Sequence, residues 1–153
     1  MKYYAVIVGG GSGTRMGGDL PKQFLLLNGK PVLMQTIQAF FYSELQPEII
    51  VVLNIDFHRY WEKLCLEHGF NIPHTLVKGG NERFFSVKNS LEYISDDAIV
   101  AIHDAVRPLV SGELITRSFR DAELNGNAVA AVQSGDSVRR MIGNVSAAVN
   151  RQE

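Results

Sequence analysis

Five short apolar runs, at residues 3–8, 49–53, 75–77, 98–102 and 128–132, are separated by segments whose apolar residues recur every three or four positions. Several of the runs are continuous rather than alternating, the pattern of strands with both sheet faces covered. Pro31 suits a first helical position, with Leu33, Ile37, Phe40 and Phe41 following on one face. Asp56 can cap a second helix, in which Phe57, Tyr60, Trp61, Leu64 and Cys65 repeat before Gly69 stops it. Phe84, Val87, Leu91 and Ile94 make a third stripe. Ser111 can cap a fourth helix, with Leu114, Ile115, Phe119 and Ala122 inward and Gly126 near its end. Strand and helix alternating at this rhythm predict right-handed βαβ units. The expected class is therefore α/β: a three-layer α/β/α, Rossmann-like, mostly parallel sheet with ligands at the carboxyl ends of its strands.

A chain of 153 residues supports one domain, residues 1–153, with a substantial core. Apolar residues make up 46%, charged residues 20%, and the net charge is −1, which excludes disorder and gives no surface for nucleic acid. Small molecules or other proteins are the expected partners. The single cysteine, Cys65, has no internal disulfide partner and lies on the apolar stripe of its helix, so core packing is its expected role. No secretory leader pattern begins the chain, and no apolar run reaches the eighteen or more residues of a membrane span. The expected setting is the cytoplasm, with no membrane contact.

The first strand runs straight into Gly9-Gly10-Gly11-Ser12-Gly13-Thr14-Arg15, and Pro21-Lys22-Gln23 follows. Glycine lets backbone N–H groups approach phosphate oxygens closely, while Arg15 and Lys22 add full positive charge. The bland alternative is a flexible turn after a strand. Two other glycine loops fail on counting. The dinucleotide fingerprint would need a third glycine where Met16 or Thr14 stands, and the P-loop would need Lys and Ser or Thr where Asp19 and Leu20 stand. A polyphosphate site of another kind remains.

Two further strand-ending loops carry chemistry. After residues 75–77 come Lys78-Gly79-Gly80-Asn81-Glu82-Arg83 and then Ser86 in a first helical turn, a set of amides and a hydroxyl suited to reading a base edge. A plain turn and a capping serine are the alternative. After residues 98–102 come His103-Asp104-Ala105-Val106-Arg107-Pro108. Asp104 can hold magnesium or a sugar hydroxyl, and Arg107 can grip a phosphate in bidentate fashion, unless the two form an ion pair that locks the loop. His103, at an apolar strand end, reads as a histidine held by hydrogen bonds rather than a base. His58, His68 and His74 have no metal-ligand spacing with Cys65, so zinc is not expected. Beyond residue 132, Gly135-Asp136 is a turn signal and Ile142-Gly143-Asn144 a break, so residues 134–150 read as an extended arm. The chain then ends at Arg151-Gln152-Glu153 with no packing element behind it, which reads as a cut.

Together, in this order and spacing, the glycine loop with Arg15, Pro21-Lys22-Gln23, the segment from Gly79 through Ser86, and His103 through Pro108 resemble the 2-C-methyl-D-erythritol 4-phosphate cytidylyltransferases. The resemblance covers essentially the whole chain. Each motif alone is modest, but four in register are specific to cytidylyltransferases of this type, which include those acting on ribitol 5-phosphate. Asp136-Ser137-Val138-Arg139 and Val149-Asn150-Arg151 look more like the methylerythritol branch. The resemblance implies that Gly9, Gly10, Gly11 and Gly13 hold the CTP triphosphate, that Arg15 and Lys22 stabilise the transition state, and that Gly80, Asn81 and Ser86 read cytosine. It also places Asp104 and Ala105 near the ribose, Mg²⁺ and a sugar-alcohol phosphate acceptor. Arg151 would reach into the active site of a partner subunit, in a homodimer formed through the arm. Gly9-Gly10 stand where the family commonly has Ala-Ala, and Asn81 where it commonly has Asp. Roughly the last third of a family chain, with acceptor-contacting lysine and threonines and the strand returning after the arm, is expected to be missing. A ribitol-5-phosphate cytidylyltransferase and a non-catalytic nucleotide-binding module stay open as alternatives, with a dinucleotide oxidoreductase a distant third.

Overall fold

A computed structural model describes residues 1–10, 20–132 and 139–149. The apolar runs at the start and centre of the chain become β1 (Lys2–Gly9), β4 (Glu48–Leu53), β5 (Thr75–Lys78) and β6 (Ala98–Asp104). All pair in parallel, in the spatial order β5-β4-β1-β6. Between β1 and β4 lie a 3-10 turn (Lys22–Phe24), the two-residue strands β2 (Leu26–Leu27) and β3 (Lys30–Pro31), and α1 (Val32–Phe41). The remaining helices are α2 (His58–Glu67), α3 (Arg83–Leu91) and α4 (Gly112–Asn125).

Because side chains alternate along a strand, each central strand feeds two cores. Ala5 and Ile7 of β1 and Ile49, Val51 and Leu53 of β4 face α1, α2 and α4, where Leu33, Met34, Ile37, Phe40, Trp61, Leu64, Ile115 and Phe119 close a continuous buried cluster. The opposite residues, Tyr4, Val6, Ile50, Val52 and Val77, form a smaller cluster on the side of α3. The three layers are those expected from the sequence.

The helix ends follow local chemistry. Ser111 caps α4 by accepting from the Leu114 N–H at 3.2 Å, and Gly126 closes it at φ 83°. Pro31 stands one residue before α1 rather than inside it. Asp56 is not the cap of α2: Asn54 accepts from the Asp56 N–H at 3.0 Å and starts a 3-10 turn (Ile55–Phe57) that leads into the helix. An Asx residue at the mouth of a turn satisfies the amide two positions on, which the aspartate inside the turn cannot do.

Two expectations are corrected. Only part of the stripe assigned to α3 faces inward: Phe84 and Leu91 are exposed, Val87 is half-buried and Ile94, past the end of the helix, packs on the smaller core, while the buried residues of the helix are Ser86 and Ser90. The helix lies where β1 and β5 give way to loops, and small hydroxyls at an i, i+4 pair allow close approach, Ser86 accepting from the Gly80 N–H and Ser90 donating to the Val87 carbonyl of its own helix. Residues 128–132 form no strand. Val129 and Val132 are exposed, and an apolar cleft of about 590 Å³, lined by Ile99, Phe119 and Ala128 among others, lies beside the open edge of β6. The run borders that cleft without pairing to β6, and its unpaired N–H and C=O groups are left to solvent.

The arm is a two-stranded antiparallel hairpin, β7 (Arg139–Ile142) and β8 (Val145–Ala148), turning at Gly143, whose φ of 59° the missing Cβ permits. Met141, Ile142 and Val145 are exposed on it. The rest of the arm, residues 134–138 and 150, lies outside the described residues. Half-buried Cys65 packs against the larger core, and desolvation, with Glu62 adding to it, pushes its thiol up to about 11. That keeps it protonated and inert near neutral pH. Among the described residues no helix is long and apolar enough to cross a membrane.

Candidate active site

At the carboxyl edge of the sheet β5, β4, β1 and β6 end side by side, and the loops that follow them enclose an open cleft of about 1000 Å³. Gly9, Gly10, Lys22, Gly80, Asn81, Ser86, Asp104 and Ala105 all line it. They come from four separate stretches of the sequence, and parallel topology is what gathers them. Gly11, Gly13, Arg15 and Arg151 lie outside the described residues.

The phosphate-side wall is set by the 3-10 turn. Phe24 is buried against Phe57 and Tyr60, with ring centroids 5.5 and 5.2 Å away. Buried Gln23 donates from Nε2 to the Gly9 carbonyl at 2.9 Å. These two neighbours pin the turn to the end of β1 and to α2, which leaves Lys22 facing the cleft. A lysine so placed supplies a compact, mobile positive charge for phosphate oxygens.

The base-side wall is a tight meeting of two glycine segments. The Gly79 N–H donates to the Leu53 carbonyl at 2.7 Å, and Ser86 Oγ accepts from the Gly80 N–H at 3.0 Å. A Cβ at Gly10 would lie 2.9 Å from Ser86 Oγ, and one at Gly80 would lie 2.3 Å from Phe85 Cβ. The Gly9-Gly10 pair, where alanines were the family expectation, thus has a local reason: Ser86 already occupies the space that a methyl group at position 10 would need. Ser86 is buried and shapes the loop as well as lining the cleft, and its hydroxyl proton has not been used by the bond it accepts. Asn89 also steadies the loop, donating to the Lys78 carbonyl at 3.0 Å.

The third wall is the loop after β6. The Ala105 N–H donates to the Val8 carbonyl at 3.0 Å, and Thr36 Oγ1 of α1 donates to the Ala105 carbonyl at 2.8 Å. Asp104 accepts from Arg83 Nη2 at 3.1 Å and from Arg107 Nε at 2.8 Å. Partial desolvation pushes its carboxyl up, but the hydrogen bonds and charges of Arg107 and Arg83 outweigh this, and the net shift is downward. Arg107 lines the neighbouring apolar cleft rather than this one, and its guanidinium is engaged with Asp104. The loop-locking ion pair is the arrangement seen.

Gln23 and Thr36 hold the site together and Arg83 bridges two of its walls, yet composition and spacing assign them no role. Gln23 and Thr36 reach partners 14 and 69 residues away, and Arg83 one 21 residues away. For Gln23 the signal was its place beside Lys22 in a motif; for Thr36, a helix-interior threonine, there was none.

His103 sits just behind Asp104. It packs edge-on to Phe40 at 5.0 Å, and its buried Nδ1 has no hydrogen-bond partner among the described residues. Packing against an aromatic ring is the contact seen for it among the described residues. Desolvation lowers its pKa, with nearby Asp104 pulling the other way and Arg107 adding to the lowering. The unfolded chain takes up this proton near pH 6.5 while the folded one resists it, so stability is lost as pH falls through that value. Asp104 titrates below this window and does not contribute. Thermal midpoints at pH 7, 6 and 5 are therefore expected to fall more steeply for the native chain than for His103→Phe. Parallel slopes would remove the histidine from the account. His74 is a different case: its Nε2 accepts from Trp61 Nε1 at 2.9 Å and its Nδ1 donates to the Ile72 carbonyl at 2.8 Å, a structural tautomer behind the core.

The comparisons bear on this geometry. The family model IspD, 2-C-methyl-D-erythritol 4-phosphate cytidylyltransferase, matches residues 3–153. The chain belongs to that family. It is 44% identical over 149 residues to the 2-C-methyl-D-erythritol 4-phosphate cytidylyltransferase of Bacteroides fragilis, covering 97% of this chain and 68% of that relative. With the protein of the same name from Porphyromonas gingivalis the identity is 47% over 150 residues, covering 98% of this chain and 67% of the relative. A solved 4-diphosphocytidyl-2C-methyl-D-erythritol synthase from Anaerococcus prevotii superposes with a TM-score of 0.79 at 24% identity, over 99% of this chain and 64% of that one. The bifunctional IspDF of Campylobacter jejuni gives 0.76 at 23% identity, over 100% of this chain and 38% of that one. These two likenesses show the fold. The family assignment makes the chain a nucleotidyltransferase of the transferase class.

Proposed function

We propose that this chain transfers CMP from CTP to 2-C-methyl-D-erythritol 4-phosphate and releases pyrophosphate, a step toward isoprenoid precursors in the non-mevalonate route. The observation that carries the reading is the convergence of Lys22, the Gly80–Ser86 wall and Asp104 on one cleft, in a chain of this family. A cation, base-sized hydrogen-bonding groups and a carboxylate on three walls are what a nucleoside triphosphate and a metal-dependent phosphoryl acceptor need together.

In the reaction an acceptor phosphate oxygen attacks the α-phosphorus of CTP in line. The bond from that phosphorus to the bridging oxygen breaks, and the electron pair leaves with pyrophosphate. The nucleophile needs no strong base, because a phosphate monoester is already largely ionised near pH 7, its second pKa being about 6. Alignment and neutralisation are the protein's task. Lys22 and Arg15 are the residues to offset charge growing on the transferred and departing phosphates. The amides of Gly9, Gly10, Gly11 and Gly13 are expected to cradle the triphosphate. Gly80, Asn81 and the Ser86 hydroxyl are the groups to read the base edge.

Mg²⁺ is the expected cofactor, and the donor set suits one held chiefly by substrate. Asp104 offers a single carboxylate, and among the described residues no group of three His, Cys, Asp or Glu could form a cage. Magnesium commonly takes one or two protein carboxylates and completes its shell with phosphates and water, so Asp104 fits that role. When bound there it would neutralise charge on the phosphates. Ala105 beside it and Arg107, once released from Asp104, would serve the ribose and acceptor. The exposed Met141, Ile142 and Val145 of the hairpin support an arm that pairs with a second copy, with Arg151 reaching across; a monomeric mass in solution would remove that element. A cytoplasmic setting accords with these substrates.

The test is calorimetric titration with CTP and Mg²⁺, with UTP, ATP and NADP in parallel, followed by pyrophosphate release with methylerythritol phosphate and with ribitol 5-phosphate. Selective CTP binding and release with the first acceptor is the expected result. Release with ribitol 5-phosphate alone would move the chain to that activity. CTP binding without release from either acceptor would make it a nucleotide-binding module, and selective NADP binding would overturn the reading.

A further inference from the structure

Asp104 is gripped from two sides by residues of different origin. Arg107 lies three positions along the same loop, whereas Arg83 is the first residue of α3, directly after the segment carrying Gly80 and Asn81. The Arg83–Asp104 pair therefore spans the cleft from the base-side wall to the loop after β6. The loop does not need it to stay in place. Ala105 is already tied to Val8 and Thr36, the Arg107 N–H donates to the Asp104 carbonyl at 3.2 Å, and Arg107 Nε holds Oδ2. What Arg83 adds is charge: it covers Oδ1, the carboxylate oxygen that Arg107 leaves free.

That charge matters because of what the cleft is read to bind. A half-buried carboxylate facing a triphosphate is a like-charge contact, and at contact range, shorter than the Debye length, salt screens such repulsion only in part. A divalent cation arriving with the nucleotide relieves it. Without one, the relief has to come from the protein, and Arg83 is placed to supply it.

We propose, resting on the nucleotide-site reading above, that Arg83 is a positioning residue that masks the Asp104 carboxylate and thereby sets how strongly nucleotide binding depends on a divalent cation. With Arg83 present, the site tolerates CTP that carries no metal. Without it, Asp104 repels the free triphosphate and the site discriminates in favour of the metal complex. The role lies in binding, and a residue that merely propped up the base loop would weaken both forms alike.

The experiment is a calorimetric comparison of CTP affinity in EDTA and in Mg²⁺, on the full chain, for the native protein, Arg83→Gln, Arg83→Lys and Arg83→Gln with Asp104→Asn, each checked by circular dichroism. Arg83→Gln is expected to weaken metal-free CTP by about tenfold and Mg²⁺–CTP by less than about threefold, a coupling of ordinary size for interacting sites. Arg83→Lys, which keeps the charge, should fall between. Removing the Asp104 charge from the Arg83→Gln protein should restore metal-free binding toward the native value, as the cycle requires if the two side chains act on each other. Equal weakening of both forms, or a double variant no better than Arg83→Gln, overturns the proposal. If the native chain prefers UTP or ATP, the cytidylyl reading fails while the same comparison is made with that nucleotide. Absence of binding by any nucleotide overturns both.

Discussion

Lys22→Ala is expected to slow cytidylyl transfer by at least about 100-fold, on the order of 3 kcal/mol in the barrier, the usual loss when one preorganised donor to a developing charge is removed. The loss should fall mainly on kcat, because Lys22 is read to act on charge that grows only as the phosphorus–oxygen bond breaks. Arg15→Ala is expected to behave alike. Lys22 is half-buried and none of the described hydrogen bonds or ion pairs uses its side chain, so the same change should leave the thermal midpoint nearly untouched. Steady-state pyrophosphate release, with kcat and KM separated, is the measurement. Unchanged turnover in a folded Lys22→Ala protein would take the lysine out of the mechanism and leave the phosphate-side wall to backbone amides alone.

Phe24→Ala should have a large effect on stability and should also reach the site. The ring is buried, and its removal opens a cavity between the 3-10 turn and α2. Phe→Ala changes of this kind cost about 3 to 5 kcal/mol, which in a chain of this size lowers the thermal midpoint by on the order of 10 °C. Because Phe24 and Gln23 are what hold the turn, Lys22 would lose its bearing on the cleft, and CTP affinity should fall together with stability. Denaturant melts of Phe24→Ala and the milder Phe24→Leu, each followed by CTP titration, check both parts. A loss under about 1 kcal/mol would mean that the turn is held by its hydrogen bonds and not by the ring.

The two variants probe different layers of information in the chain. Lys22 was visible as a charged residue soon after a glycine loop, and its role could be inferred without knowing where it sits. Phe24 was one more apolar residue, and its importance follows from Phe57 and Tyr60, which reach it from another element. The strands that became β1, β4, β5 and β6 were legible because continuous apolar text needs burial on both faces, whatever its neighbours. Residues 128–132 carry the same text and form no strand, since a strand also needs a partner to pair with and these residues only border the cleft beside β6. The inner face of α3 was misread for a related reason: hydrophobic spacing favoured Phe84 and Leu91, but closeness of the helix to the glycine loops selected Ser86 and Ser90.

What the sequence determined by itself was the α/β class, the three loops that bear chemistry and the residues in them that could meet a nucleotide, because apolar continuity, glycine spacing and side-chain charge are local properties. Tertiary structure alone decided that these loops share one cleft, that Arg83 and Arg107 divide the two oxygens of Asp104, and that Ser86 fills the space beside Gly10. Those facts depend on the order in which parallel strands lie in the sheet and on distances between residues far apart in the chain, which no local pattern encodes.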